Sequence, residues 1–276
     1  MAIVARRIAV LLALVTSLVV AAGADSASAA TTPAPHSIAA IGDSITRAAD
    51  VCCWYGDHPA DSWSTGGAGW DGVSSHYERL RTLDSGIGGH NYNDAVSGAK
   101  MADGPRQAQL AVGKSAQYVT VLLGANDLCT ASPSTMTPVD TFRSQAHKTL
   151  QVLATGLPSR AHIFVSSIPE VHQLWELYHG DGTARLVWDT ANICQSLLAT
   201  ERTDADRQAV AQRNVDFNAV LAQECAAISR CRFDGDAVYN YSFTKSDVSK
   251  LDYFHPSLTG QAHLASVTWA ASWWSN

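Results

Sequence analysis

Past its first thirty residues the chain has no apolar run approaching the 20 or so residues that a helical bilayer span requires. It also lacks a basic cluster. Its 19 Lys and Arg are outnumbered by 25 Asp and Glu, giving a formal charge of −6. Phosphate binding draws on a basic footprint, so nucleic acid is not an expected partner. Neither Cys-x-x-Cys nor His-Glu-x-x-His occurs, and without such clustered spacings no structural metal is expected. Internal repeats, low-complexity tracts and long linkers are missing too, which leaves one domain of ordinary size.

The N-terminus stands apart. Arg6 and Arg7 precede an apolar stretch from Ile8 to Ala22, small residues follow, and Ala27-Ser28-Ala29 has the A-x-A form of a cleavage site. Charged, apolar and small segments in that order predict a signal peptide over residues 1–29 and hence a secreted, extracellular protein. Residues 30–35, with two prolines, read as a flexible leader, and 36–276 as the single domain.

Three short apolar runs, His36–Ile41, Gln117–Leu123 and Ala161–Ile168, end at Gly42, Gly124 and Pro169. They do not alternate with polar residues, which suits parallel strands covered on both faces. Between them, Val139, Phe142, Ala146, Leu150 and Leu153 recur at helical spacing, with Thr137 as N-cap and Pro138 at the first helical position. Two further helices are predicted over Asp204–Ile228 and Leu258–Trp273. Strands alternating with helices predict an open α/β sheet between helical layers, with ligands beyond the carboxyl ends of the strands.

Four short segments lie where such ligands would sit. Gly42-Asp43-Ser44-Ile45-Thr46 follows the first strand and exposes a serine hydroxyl, a weak nucleophile that needs a base. Asp252-Tyr253-Phe254-His255-Pro256 puts a carboxylate three residues before an imidazole, where it can set the tautomer and stabilise the imidazolium. Ser97-Gly98-Ala99 offers an unhindered backbone N–H, and Gly124-Ala125-Asn126-Asp127 an amide side chain. An acyl-transfer site needs two or three such donors aimed at developing negative charge.

In that order and at those separations, the four segments resemble the motif blocks of the SGNH/GDSL hydrolase family, over almost all of the chain past the leader. The resemblance implies a flavodoxin-like three-layer α/β/α sandwich with a central, mainly parallel sheet. It implies Ser44 as nucleophile, His255 and Asp252 as the remainder of a catalytic triad, and an oxyanion hole from Ser44, Gly98 and Asn126. It further implies an acyl-enzyme and no cofactor, with a small-molecule or lipid ester as substrate. GANDLC, SIPEVHQLWEL, ICQSLL and DYFHPS are similar to segments of secreted lipase, esterase and phospholipase B-like members. An acetyl esterase acting on polysaccharide is the alternative within enzymes; a non-catalytic lipid- or carbohydrate-binding protein is the one outside them. A monomer is expected.

Asp43 and Asp127 are expected to hold their turns. Of six cysteines, Cys225 and Cys231 should close a short loop after a helix, and Cys129 should pair with Cys194. Cys52 and Cys53 remain, and adjacent Cα atoms about 3.8 Å apart are closer than the usual disulfide span. Trp54, Trp63, Trp70, Trp175 and Trp188 are candidate lining residues for an acyl or ring-binding surface, with Trp54 and Trp175 foremost. Trp269, Trp273 and Trp274 suit packing.

Overall fold

A computed structural model describes residues 32–275. The expected signal peptide lies outside the described residues. Five strands form one sheet: β1 (Ile38–Gly42), β2 (Asn91–Asn93), β3 (Tyr118–Leu122), β4 (His162–Val165) and β5 (Cys231–Phe233). Every pairing is parallel and the spatial order is β2-β1-β3-β4-β5, the flavodoxin-like order. Ile38 registers with Tyr118 and Gly42 with Leu122, so β1 and β3 end level. In this order the chain's direction across the sheet reverses between β1 and β3, and a crevice opens there.

The lack of alternation follows from burial on both faces. Successive side chains point to opposite sides of a strand. Ala39, Ile41, Val119, Val121, Ile163 and Val165 join one core, while Ile38, Tyr118 and Phe164 join another. On the first side lie α2 (Gly104–Gly113), α4 (Val139–Gly156) and α8 (Asp204–Ala226), through Ala108, Phe142, Leu150, Phe217 and Leu221. On the second lie α1 (His76–Leu83), through Tyr77 and Leu80, and α9 (Leu258–Ala270), through Leu264 and Ala265. Shorter helices α3 (Ala125–Leu128), α5 (His172–Tyr178), α6 (Gly182–Thr190) and α7 (Gln195–Leu198) surround the strand ends. Among the described residues no helix is long and apolar enough to cross a membrane.

Two boundaries differ from expectation for the same reason: side chains near the site answer buried carboxylates. Pro138, not Thr137, caps α4, because the Thr137 hydroxyl donates to Asp127 Oδ1 at 2.7 Å. The run ending at Ile168 stops pairing at Val165, where Ser167 turns its hydroxyl to Asp234 Oδ2 at 2.8 Å. Cys129 is bonded to Cys194 and Cys225 to Cys231. The first bridge ties the end of α3 to the start of α7; the second ties α8 to β5.

Candidate active site

Ser44 follows β1 by two residues and Asn126 follows β3 by four, so adjacent strands deliver both to the crevice. Gly98 arrives from the segment after β2, on the other side of β1. Ser44, Gly98, Asn126 and His255 line one open cleft together with Asp50 and Phe254. The sheet thus brings together residues more than two hundred positions apart.

His255 lies between Ser44 and a carboxylate. Its Nε2 is 2.8 Å from Ser44 Oγ, and its Nδ1 is 2.5 Å from Asp252 Oδ2. An ionised carboxylate only accepts, so Nδ1 carries the proton and Nε2 is left to accept from the serine hydroxyl. The other oxygen of Asp252 accepts from the backbone N–H of Phe254 at 3.0 Å and of His255 at 3.1 Å. Trp188 Nε1 donates to the carbonyl of Tyr253, whose φ of +57° lies in the left-handed region. The Asp-x-x-His segment is therefore held by its own backbone on one side and by α6 on the other.

A second carboxylate stands at the same nitrogen. Asp50 Oδ2 is 3.6 Å from His255 Nδ1, a contact between residues 205 positions apart that no motif announces. Asp50 has φ +52° and accepts from the Gly56 N–H at 2.6 Å, closing the loop after Ser44. Burial disfavours charge on His255, but the hydrogen bond to Asp252 and the nearby carboxylates of Asp252 and Asp50 outweigh it and push the imidazole up to about 9.

On the far side of Ser44 are hydrogen-bond donors. Among the described residues, neither the backbone N–H of Ser44 nor that of Gly98 has a protein acceptor. Asn126 Nδ2 donates one bond to the carbonyl of Ala99 at 3.1 Å, which orients the amide and leaves its second N–H. Gly98 has φ +81°, a conformation that favours glycine. Gly124, ahead of Asn126, has φ +131°, and a Cβ there would sit 2.5 Å from Ile168 Cδ1. Only glycine turns β3 into α3 at this angle.

The two flanking aspartates face their turns. Asp43 Oδ1 accepts from the Ile45 N–H at 2.9 Å, and burial raises this carboxyl to about 7. Asp127 accepts from the Met101 N–H at 2.8 Å as well as from Thr137. Beyond His255, and sharing it and Phe254 with the cleft, is an apolar pocket lined by Ile45, Val171, Leu174, Leu177 and Phe243. No tryptophan lines either space. Trp63 and Trp188 are buried in the core, and Trp175 lies in α5 with the Arg207 guanidinium 3.4 Å from its ring centre. Trp54 and Trp70 point to solvent, 65% and 80% exposed. The expectation that tryptophans would line the site fails because a strand-end loop lends these rings to packing or to solvent, and Phe254 takes the lining position.

Among the described residues, two groups place ligand-type atoms within 4.8 Å of one another, Asp50/Asp252/His255 and Cys52/His58/Asp61. In the first, the shared Nδ1 proton already occupies the atoms that a metal would need.

The family model described as GDSL-like Lipase/Acylhydrolase matches residues 38–267. No curated protein sequence matches the chain. Among solved structures, LAE5, an α/β hydrolase enzyme from the metagenome of Lake Arreo, Spain, is similar over 87% of this chain and 96% of its own, at 16% identity and a TM-score of 0.54. A family 3 carbohydrate esterase of Clostridium thermocellum is similar over 85% of this chain and 92% of its own, at 14% identity and a TM-score of 0.46.

Proposed function

The chain belongs to the GDSL-like lipase/acylhydrolase family, and from that premise we propose that it is an exported serine esterase of acyl esters. The observation that carries the reading is the continuous relay from Ser44 Oγ to His255 Nε2 at 2.8 Å and from Nδ1 to Asp252 at 2.5 Å. His255 takes the Ser44 proton as Oγ attacks the ester carbonyl. The N–H groups of Ser44 and Gly98 and the free amide N–H of Asn126 receive the oxyanion, where fixed donors act most strongly. His255 then passes the proton to the leaving alcohol, and water repeats the sequence to release the acid. Export is supported by two disulfides, which persist in oxidising surroundings.

The apolar pocket beside His255 favours an acyl chain longer than acetyl, since an acetyl group would leave it unused. Each methylene buried there contributes about 0.8 kcal/mol, roughly fourfold in kcat/KM. A fluorophosphonate should label the peptide carrying Ser44, and p-nitrophenyl esters should be cleaved faster from C2 towards C6. Labelling of another serine with Ser44→Ala still active would overturn the mechanism. A maximum at acetate would return the substrate to the acetylated-polysaccharide class.

A further inference from the structure

The loop after the nucleophile, residues 50–71, holds a cluster that ester chemistry does not use. The side chains of His58 and Asp61 are only 7% and 8% exposed, and His58 Nδ1 stands 3.8 Å from Asp61 Oδ2. That is too long for a hydrogen bond. The other ring nitrogen, Nε2, is 3.1 Å from the carbonyl of Trp54. A carbonyl only accepts, so Nε2 donates to it and Nδ1 is the nitrogen turned to the carboxylate. The two atoms thus face each other with no direct hydrogen bond between them. Cys52 converges on the same point, its sulfur and the two other ligand atoms all lying within 4.8 Å of one another.

The surroundings add negative charge without compensating it. The Asp71 carboxyl adjoins Asp61. The nearest arginine in the sequence, Arg47, is paired with Asp57 instead. Among the described residues the sole ion-pair partner of Asp61 is His58.

We propose that Cys52, His58 and Asp61 form a site for a divalent transition metal of the zinc type, with Asp71 or water as fourth ligand. One sulfur, one imidazole nitrogen and carboxylate oxygen are the donors that zinc accepts. Two zinc bonds at the tetrahedral angle span about 3.3–3.6 Å, close to the 3.8 Å between His58 and Asp61. The bond from Nε2 to a backbone carbonyl is the outer contact that orients a ligating histidine. On binding, the Cys52 thiol loses its proton to water and the thiolate bonds the metal. A bound dication favours the thiolate over the thiol.

The expectation of no structural metal rested on linear spacing, whereas this cluster is gathered by loop closure. The metal would touch no reacting atom. It would pin the loop that supplies Asp50 to His255 and Asp57 to Ser97, whose hydroxyl donates to Asp57 at 2.5 Å. The opposing state is a bond between Cys52 and Cys53, whose sulfurs are 2.7 Å apart. Forming it would pass two electrons and two protons to an oxidant and remove the sulfur ligand.

The test uses the full chain, reduced with a phosphine under argon and titrated with Co²⁺. We expect one cobalt per chain and a near-ultraviolet thiolate-to-cobalt band, displaced by Zn²⁺. Wild type and Cys53→Ser should show the band and Cys52→Ser should lack it. His58→Gln and Asp61→Asn should weaken binding by at least the 10–100-fold or so that loss of an outer contact costs. Absence of the band from folded, reduced wild type, or its persistence in Cys52→Ser, would overturn the proposal. So would isolation of the native chain metal-free with Cys52 joined to Cys53.

Discussion

Two loops bring a carboxylate to the same nitrogen of His255, and they do so in different ways. The C-terminal loop holds Asp252 at 2.5 Å, with its second oxygen fixed by two backbone N–H groups. The loop after Ser44 holds Asp50 at 3.6 Å, from a residue in the left-handed region and a segment whose tip, at Trp54, is exposed to solvent. One carboxylate makes the directional bond that sets the tautomer. The other contributes charge without that bond. Orientation falls off within a few tenths of an ångström, whereas Coulomb attraction declines only as the inverse of distance. The two aspartates should therefore separate by experiment into an orienting group and an electrostatic one.

The largest effect should come from the orienting side. Asp252→Asn keeps the shape but presents an amide that can hold the wrong tautomer, a change that costs about 10⁴ in kcat in a serine triad. Stopped-assay kinetics on a short-chain nitrophenyl ester, with circular dichroism as the fold control, measures it. A loss below about tenfold would mean that Asp50 orients the imidazole as well as Asp252 does, and the contrast would fail.

Asn126→Ala tests the opposite side of Ser44, beyond the reach of either loop. One lost oxyanion donor typically costs about 10²–10³ in kcat, with KM near wild type because the bond strengthens only as charge develops. A folded variant within about threefold of wild-type kcat would reduce Asn126 to a turn residue bonded to Ala99.

The smallest change in rate, and the sharpest in pH, is expected for Asp50→Asn. His255 must be neutral to act as base, so kcat/KM rises with pH through its pKa. The groups that act on it are Asp252 and Asp50 at Nδ1 and, more weakly, Asp43 across the serine turn. With the imidazole pushed up to about 9, the acidic limb should lie on the alkaline side of the roughly 6.5 of an unperturbed histidine. Removing the Asp50 charge destabilises the imidazolium, so the limb should move to lower pH by about one unit. The high-pH plateau should stay within a few-fold of wild type. A limb that stays in place would leave Asp50 a loop residue only.

Much of this was legible along the chain. The apolar runs ending at Gly42, Gly124 and Pro169 mark the three inner strands because parallel strands are buried on both faces, whereas the three-residue edge strands β2 and β5 carry no such run. The four motif segments are local: an Asp three residues before a His, or a Gly that permits a turn, is a short-range relation that one dimension records. Ser44, Asp252, His255, Gly98 and Asn126 could therefore be named, and the structure places four of them on one cleft with Asp252 bonded behind His255. Tertiary structure alone decided the relations that depend on where a loop returns. Asp50 meets His255, His58 turns its Nδ1 towards Asp61, and Phe254 replaces tryptophan beside the cleft. No periodicity or spacing encodes such contacts. They arise when a loop of irregular backbone closes over strand ends, and that closure is set by the packing of the whole sheet rather than by its neighbours in sequence.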